Sequence, residues 1–268
     1  MLESKKLKAL KRYLEKEPSV VLAFLFGSFA KGREMEESDV DVAVYLREKE
    51  RRKRIKIWLD LQRILQREVN LVLLDEAPAT LVASVFYNGI PLSIKDKKLY
   101  WELYLSKTAE AEDFLKFLED FWRIYKTSKS LAPPEKAVLL ERIHFIDREL
   151  REIEEFKKIK FEEYTASTIK RRNIERWCET IINATIDIAK IILASEKRKA
   201  PKTYGDALYQ FGILIGLNEE EAEDFSELAD LRNILAHEYL EVLYEKIQNF
   251  IKKFPSFIKK FRFSWKII

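Results

Sequence analysis

Cysteine is nearly absent from this chain. The one present, Cys178, excludes an intrachain disulfide and fits a reducing, cytoplasmic setting. Long apolar runs are missing too: no stretch approaches the roughly eighteen residues a membrane span needs, so no membrane association is expected. The N-terminus, MLESKKLKALKRYLEKEPS, is charged throughout and lacks the apolar core of a secretory signal. No charge sign dominates. Lys and Arg number 49 against 45 Asp and Glu, for a net charge of +4, so any basic surface for a nucleic acid has to be local. Histidine occurs only at His144 and His237, and methionine only twice. With abundant Lys, Glu and Ile, this leans toward a thermophilic composition. What is plentiful is apolar material, at 47% hydrophobic residues, which excludes disorder, and the 268 residues suit two domains.

The pattern along the chain changes once. Leu7, Leu10 and Leu14 mark a helix over 4–17 that Pro18 closes. VVLAFLF at 20–26 reads as a strand buried on both faces, VDVAVYL at 40–46 as a second strand and VNLVLL at 69–74 as a third. A helix is expected within 47–66, and REKERRKRIK at 47–56 reads as its solvated start. After a strand–helix mixture ending near residue 95, residues 97–127 look helical. TSKSLAPP at 127–134 is the best linker, and Pro134 suits the first position of a following helix. Amphipathic segments at 135–160, 166–196, 203–215 and 219–253 show no strand pattern. The expected fold is α+β: a small α/β domain over 1–128, a linker over 129–134, and an all-α bundle over 135–268.

Chemistry concentrates first at GSFAKGREMEESDVDVAV. Gly27 and Ser28 follow a buried strand directly, and Asp39 and Asp41 come ten residues later. Alternate strand residues share a side, so the two carboxylates face one space and would repel each other without a cation between them. Mg²⁺ with oxygen ligands, bridging to substrate phosphates, is the natural solution. Gly27 allows close approach of a phosphate, and Ser28 offers a hydroxyl and an N–H to it. A phosphate-loop reading of Gly27 and Gly32 fails, because Arg33 and Glu34 stand where Lys and Ser/Thr are required. The Gly-Ser, ten residues, Asp-x-Asp pattern resembles the Pol β-like minimal nucleotidyltransferases over about the first hundred residues. The resemblance implies a small α/β fold with Gly27 and Ser28 at the nucleotide, Asp39 and Asp41 as metal ligands and catalytic carboxylates, and ATP and Mg²⁺ as cosubstrate and cofactor. That family usually carries a third carboxylate on a later strand. The matching position here is Asn70, uncharged and a poor base. Glu68 shares its expected strand face, and Asp75 lies beyond the strand.

The second concentration is ELADLRNILAHEYLEVL. On one ideal helix Arg232 and Tyr239 lie nearly in line, and Asn233 and His237 are one turn apart. Histidine moves protons near neutral pH and arginine grips phosphate, which suits metal-independent RNA cleavage by the ribose 2′-hydroxyl. RNILAHEY resembles the Arg-x4-His-x-Tyr motif of HEPN-domain ribonuclease toxins of the HepT kind. That resemblance implies a four-helix bundle, catalytic Arg232 and His237, an RNA substrate, and a homodimer through this domain. Glu179 and Asp187 on the helix at 171–194 are candidate polar supports, with plain surface pairing as the equal alternative. His144, in LLERIHFIDREL, reads as structural. The aromatic and basic tail IKKFPSFIKKFRFSWKII reads as packing its rings on the bundle with lysines in water.

Proteins resembling the two halves often act as partners, the nucleotidyltransferase as antitoxin and the HEPN protein as toxin, with AMP added to the motif tyrosine. The matching residue here is Tyr239. The resemblance therefore implies a toxin–antitoxin fusion in which transfer of AMP from ATP to Tyr239 neutralises the ribonuclease. Two other functions stay open: a small-molecule nucleotidyltransferase of the antibiotic-modifying type, and a catalytically silent masking module, for which Asn70 speaks.

Overall fold

The computed structural model describes residues 4–30, 39–48, 50–127, 131–235 and 240–265. The chain forms two compact units, residues 1–115 and 116–268. In the first, α1 (Ser4–Lys16) leads into β1 (Val20–Phe26), a four-residue α2 (Gly27–Ala30) and β2 (Val40–Leu46). Then come α3 (Arg51–Leu65), β3 (Val69–Leu73), α4 (Ala79–Asn88), β4 (Ile90–Ile94) and α5 (Lys97–Thr127). The sheet order is β3-β2-β1-β4. β1 is antiparallel to β2 and β4, while β2 and β3 are parallel, joined by the α3 crossover.

All seven residues of β1 are buried, as its unbroken apolar run requires. On one face Leu10 and Leu14 of α1 and Ile57, Leu61 and Leu65 of α3 cluster with Ala23, Leu25, Val42 and Val44. On the other, Val82, Val85 and Phe86 of α4 pack with Leu22, Phe24, Phe26 and Ala43, and Tyr100 and Tyr104 of α5 join them. Burying each such large side chain contributes about 1.5–3 kcal/mol, which holds the strands in register. In that register Phe26 pairs with Asp41, and Asp41 with Asn70. The strand end bearing Gly27 thus lies beside Asp41, and Asp41 beside Asn70.

The division between units falls inside α5 rather than at 129–134, because Phe117, Phe121 and Ile124 are buried in the second unit. That unit continues with α6 (Pro133–Glu149), a 3-10 turn (Leu150–Glu152), α7 (Ile153–Lys157), α8 (Phe161–Ala166) and α9 (Thr168–Ser195). It ends with α10 (Tyr204–Leu214), α11 (Glu219–Ser226), α12 (Leu228–Ile234) and α13 (Leu240–Trp265). The apolar face of α9 is the centre against which α6, α8, α10, α12 and α13 pack. The helix starts follow side-chain chemistry. The Ser167 and Thr203 hydroxyls accept from the Lys170 and Asp206 N–H groups, and Asn218 and Glu221 form a reciprocal capping box.

Two expected helices are divided. Residues 135–160 become α6, the turn and α7, and 219–253 become α11, α12 and α13. Alternating apolar and charged residues read as one periodic stripe across both breaks. Residues 251–265 of the tail are part of α13, with Phe254, Phe257 and Phe261 buried while Lys252, Lys253 and Lys259 face solvent. Lys253 pairs with Asp224, and Lys260 with Glu221. Cys178 is fully buried, and burial pushes its thiol well above the ordinary range, which makes it a packing residue. Among the described residues no helix is long and apolar enough to cross a membrane.

Candidate functional site

In the first unit β1 ends at Phe26, and the chain turns at Gly27 with φ of +74°. A β-carbon placed there would lie 2.0 Å from Oδ2 of Asp41. Only glycine allows both the left-handed backbone and this approach to the carboxylate. Ser28 follows in α2, partly exposed, and Phe29 is buried under the turn with the Arg67 guanidinium 5.6 Å from its ring centroid. Asp41 is half-buried in β2, and Asp39 is exposed just before the strand begins. Fold and pairing thus bring Gly27 and Asp41 together, with Asp39 two residues from Asp41 at the strand entrance.

Asn70 stands beside Asp41 on β3, and its amide Nδ2 donates to Oδ1 of Asp41 at 2.9 Å. At the position facing the first carboxylates, this chain offers a neutral donor. Glu68 lies before β3, where its backbone carbonyl accepts from the Val40 N–H. Among the described residues no group of three or more His, Cys, Asp or Glu side chains could hold a metal. The available oxygen donors, two carboxylates and an amide, still suit a hard cation that keeps water and substrate phosphates among its ligands.

In the second unit Arg232 lies on α12. Its Nε–H donates to Oδ1 of Asn183 on α9 at 2.6 Å, and its guanidinium carbon sits 4.7 Å from the centroid of the Tyr204 ring on α10. His237 and Tyr239 lie outside the described residues. The expected alignment of both with Arg232 therefore falls outside the described residues as well. Asn183 and Tyr204 were missed by the sequence reading. The signal for Asn183 lies in the spacing: residues 179, 183 and 187 are four apart on α9, and an amide between two carboxylates falls on the same helix stripe.

Those two have other partners. Glu179 pairs with Arg176 at 2.8 Å, an exposed i,i+3 contact, while Asp187 accepts from Arg142 Nε at 3.0 Å and pairs with Lys190 at 3.3 Å. His144 is exposed on α6. In the basic stretch at the head of α3, Lys53 pairs with Glu48 and Arg54 with Glu76, as a solvated helix start would. Tyr164 is fully buried and its hydroxyl donates to Glu175 at 2.6 Å, with burial first and that carboxylate second pushing the phenol far above its ordinary range.

Comparison with known proteins divides along the same lines. Residues 8–98 match the family described as polymerase beta nucleotidyltransferase, and residues 146–262 match the family described as HepT-like ribonuclease. A tRNA nuclease HepT from Aphanizomenon flos-aquae (strain 2012/KM1/D3) is 30% identical over 108 residues, spanning 40% of this chain and 74% of that protein. Among solved structures, a toxin–antitoxin with AMP-PNP is 24% identical, with a TM-score of 0.36, covering 42% of this chain and 90% of that one. A tri-AMPylated HEPN toxin from Shewanella oneidensis in complex with MNT antitoxin gives 22% identity and a TM-score of 0.33, covering 42% of this chain and 89% of that one.

Proposed function

Because this chain belongs to the HepT-like ribonuclease family and carries a polymerase β-type nucleotidyltransferase domain ahead of it, we propose that it is a toxin–antitoxin fusion, in which the first domain transfers AMP from ATP to Tyr239 and so silences a ribonuclease in the second. The observation that carries this reading is the presence of both families in one chain, with the Gly27–Asp41 approach intact in the first. Joining the two domains raises the effective concentration of each at the other.

In the transferase, Gly27 and Ser28 receive the ATP phosphates, and Asp39 and Asp41 hold the divalent cation, with Asn70 fixing the Asp41 carboxylate. A divalent cation held by these carboxylates would supply charge neutralisation for the departing pyrophosphate. The Tyr239 hydroxyl oxygen bonds to the α-phosphorus as the bond to pyrophosphate breaks, and the phenolic proton passes to solvent or a nearby base. In the ribonuclease, Arg232 grips the scissile phosphate. The ribose 2′-oxygen attacks that phosphorus, the 5′-oxygen leaves, and His237 handles the protons, with no metal required. AMP on Tyr239 places negative charge and bulk in the same motif and keeps RNA phosphate out. A transfer RNA is the proposed substrate, in keeping with the curated relative, and the active form is a homodimer through the helical domain.

The test is an intact and peptide mass measurement on full-length protein incubated with ATP and Mg²⁺. The expected result is one AMP increment on the peptide holding Tyr239, absent in Asp41→Asn, with RNA cleavage falling as the adduct accumulates. An adduct elsewhere, or none, overturns the transfer. A second reading, that the first domain masks the second without chemistry, is favoured by the Asn70–Asp41 hydrogen bond, which leaves a neutral group where a base would stand. It predicts no adduct, with ribonuclease activity still suppressed in the full-length chain.

A further inference from the structure

The turn that leaves α9 carries Lys197, Arg198, Lys199 and Lys202, with no acidic residue among 197–202. Its geometry is specific. Lys197 is left-handed at φ of +57°, its N–H donates to the Ala194 carbonyl, and the Arg198 N–H reaches back to the Leu193 carbonyl at 2.9 Å. This pair of bonds ends the helix and folds the chain back over its last turn. A lysine is strained in that conformation. Here its ammonium donates to the Tyr125 carbonyl and lies 4.8 Å from the centroid of the Tyr125 ring, so Lys197 serves the fold. Arg198, Lys199 and Lys202 are exposed, and among the described residues no carboxylate pairs with them.

The turn brings Arg198 to a groove of about 470 Å³ between the end of α9 and α10, lined by Leu193, Arg198, Tyr209, Gln210, Ile213 and Leu214. Ile213 is exposed and Tyr209 and Leu214 are half-buried, so an aromatic and apolar wall stands open beside a guanidinium. Gln210 adds an amide of fixed direction: its Nε2 donates to Oδ1 of Asp206 at 3.0 Å. Oδ2 of the same carboxylate accepts from the Lys202 N–H at 2.7 Å, which ties the turn to α10 through neutral donors. A cation beside a flat apolar wall matches a nucleotide unit, whose phosphate meets the guanidinium while its base lies on the aromatic ring. The Gln210 amide has both a donor and an acceptor to offer a base edge.

We propose that this groove is an RNA-anchoring site separate from the Arg232 motif, which takes one unpaired nucleotide with its phosphate on Arg198 and its base on Tyr209, while Lys199 and Lys202 meet neighbouring phosphates. The choice of RNA as the partner rests on the ribonuclease reading given above. Full-length protein carrying His237→Ala keeps the RNA intact, so binding of a fluorescently labelled RNA hairpin with an unpaired loop is measured by anisotropy in that background. Arg198→Glu is expected to weaken binding about tenfold, and Arg198→Ala to lower the salt dependence by about one phosphate contact. Tyr209→Phe, which keeps the aromatic face, binds as the parent does, and Tyr209→Leu binds at least about fivefold more weakly. A 4-thiouridine in the hairpin loop cross-links within residues 193–214. In the chain that retains His237, Arg198→Glu raises KM for RNA cleavage and leaves kcat unchanged, because the groove binds the strand away from the reacting phosphate.

Parent-like RNA binding by either Arg198→Glu or Tyr209→Leu, or cross-links found only outside the groove, overturns the proposal, and the ribonuclease reading then stands if the chain retaining His237 cleaves RNA. RNA that binds through the groove but is never cleaved by that chain overturns the ribonuclease reading and leaves the anchoring site in place. No binding of RNA by the parent overturns both.

Discussion

Replacing Gly27 by alanine tests the transferase site through a single methyl group. Two costs are expected. Alanine held at φ of +74° carries left-handed strain of roughly 1–2 kcal/mol. Its β-carbon would also lie 2.0 Å from Oδ2 and 2.9 Å from Cγ of Asp41, so that carboxylate has to swing away. The swing breaks the 2.9 Å hydrogen bond from Asn70, which in this solvent-accessible setting is worth about 1 kcal/mol. The sum, roughly 2–3 kcal/mol, lowers the midpoint of a domain of this size by about 10–15 °C. Gly216 supplies the comparison, since it has φ of +88° with nothing within 4 Å of an added β-carbon. Gly216→Ala should show the backbone strain alone, and its difference from Gly27→Ala isolates the Asp41 clash. Calorimetric unfolding and titration of Mg·ATP into each full-length variant measure both effects. Nucleotide affinity should fall at least about tenfold in Gly27→Ala and stay unchanged in Gly216→Ala. Equal stability losses in the two variants, with nucleotide binding intact in both, would refute the argument that Gly27 exists to make room for Asp41.

Asn70→Asp should convert the neutral donor into a third carboxylate: repulsion beside Asp41 destabilises the metal-free protein by about 1 kcal/mol, and Mg²⁺ more than restores it, so thermal stability should respond more steeply to Mg²⁺ than in the parent. AMP transfer should also quicken in that variant, and a mass-spectrometric time course showing no gain would mean the neutral residue is not what limits the site. His237→Ala should stop RNA cleavage in the helical domain with no change in the far-ultraviolet circular dichroism spectrum, and parent activity should survive EDTA. Tyr164→Phe removes the hydroxyl that donates to Glu175 in a fully buried position and should cost about 1–2 kcal/mol in denaturant unfolding, without moving the transferase activity.

Much of the first site was legible because strand chemistry is local. The apolar run of β1, the glycine after it and the alternating aspartates prescribe a strand, a turn and carboxylates two residues apart, before any tertiary contact forms. Asn70 was named on the family resemblance, which implies a third carboxylate on a later strand, at the position that VNLVLL supplies. That its amide donates to Asp41, with Gly27 pressed against the opposite oxygen, depends on distances between three strands, and those follow only from how the helices pack on the sheet.

The helical half divides differently. The sequence by itself determined that this half is helical, that its tail would bury aromatic rings, and that RNILAHEY stands out from its surroundings. It could not locate the break at Glu227, because periodicity of 3.6 persists across a short turn when flanking segments bury the same stripe. Nor could it show what supports Arg232. A long side chain has many rotamers, and its partners on α9 and α10 are chosen by helix packing rather than by neighbours in the chain. Tertiary structure alone decided that an amide and an aromatic ring, rather than the carboxylates one turn to either side, meet that arginine.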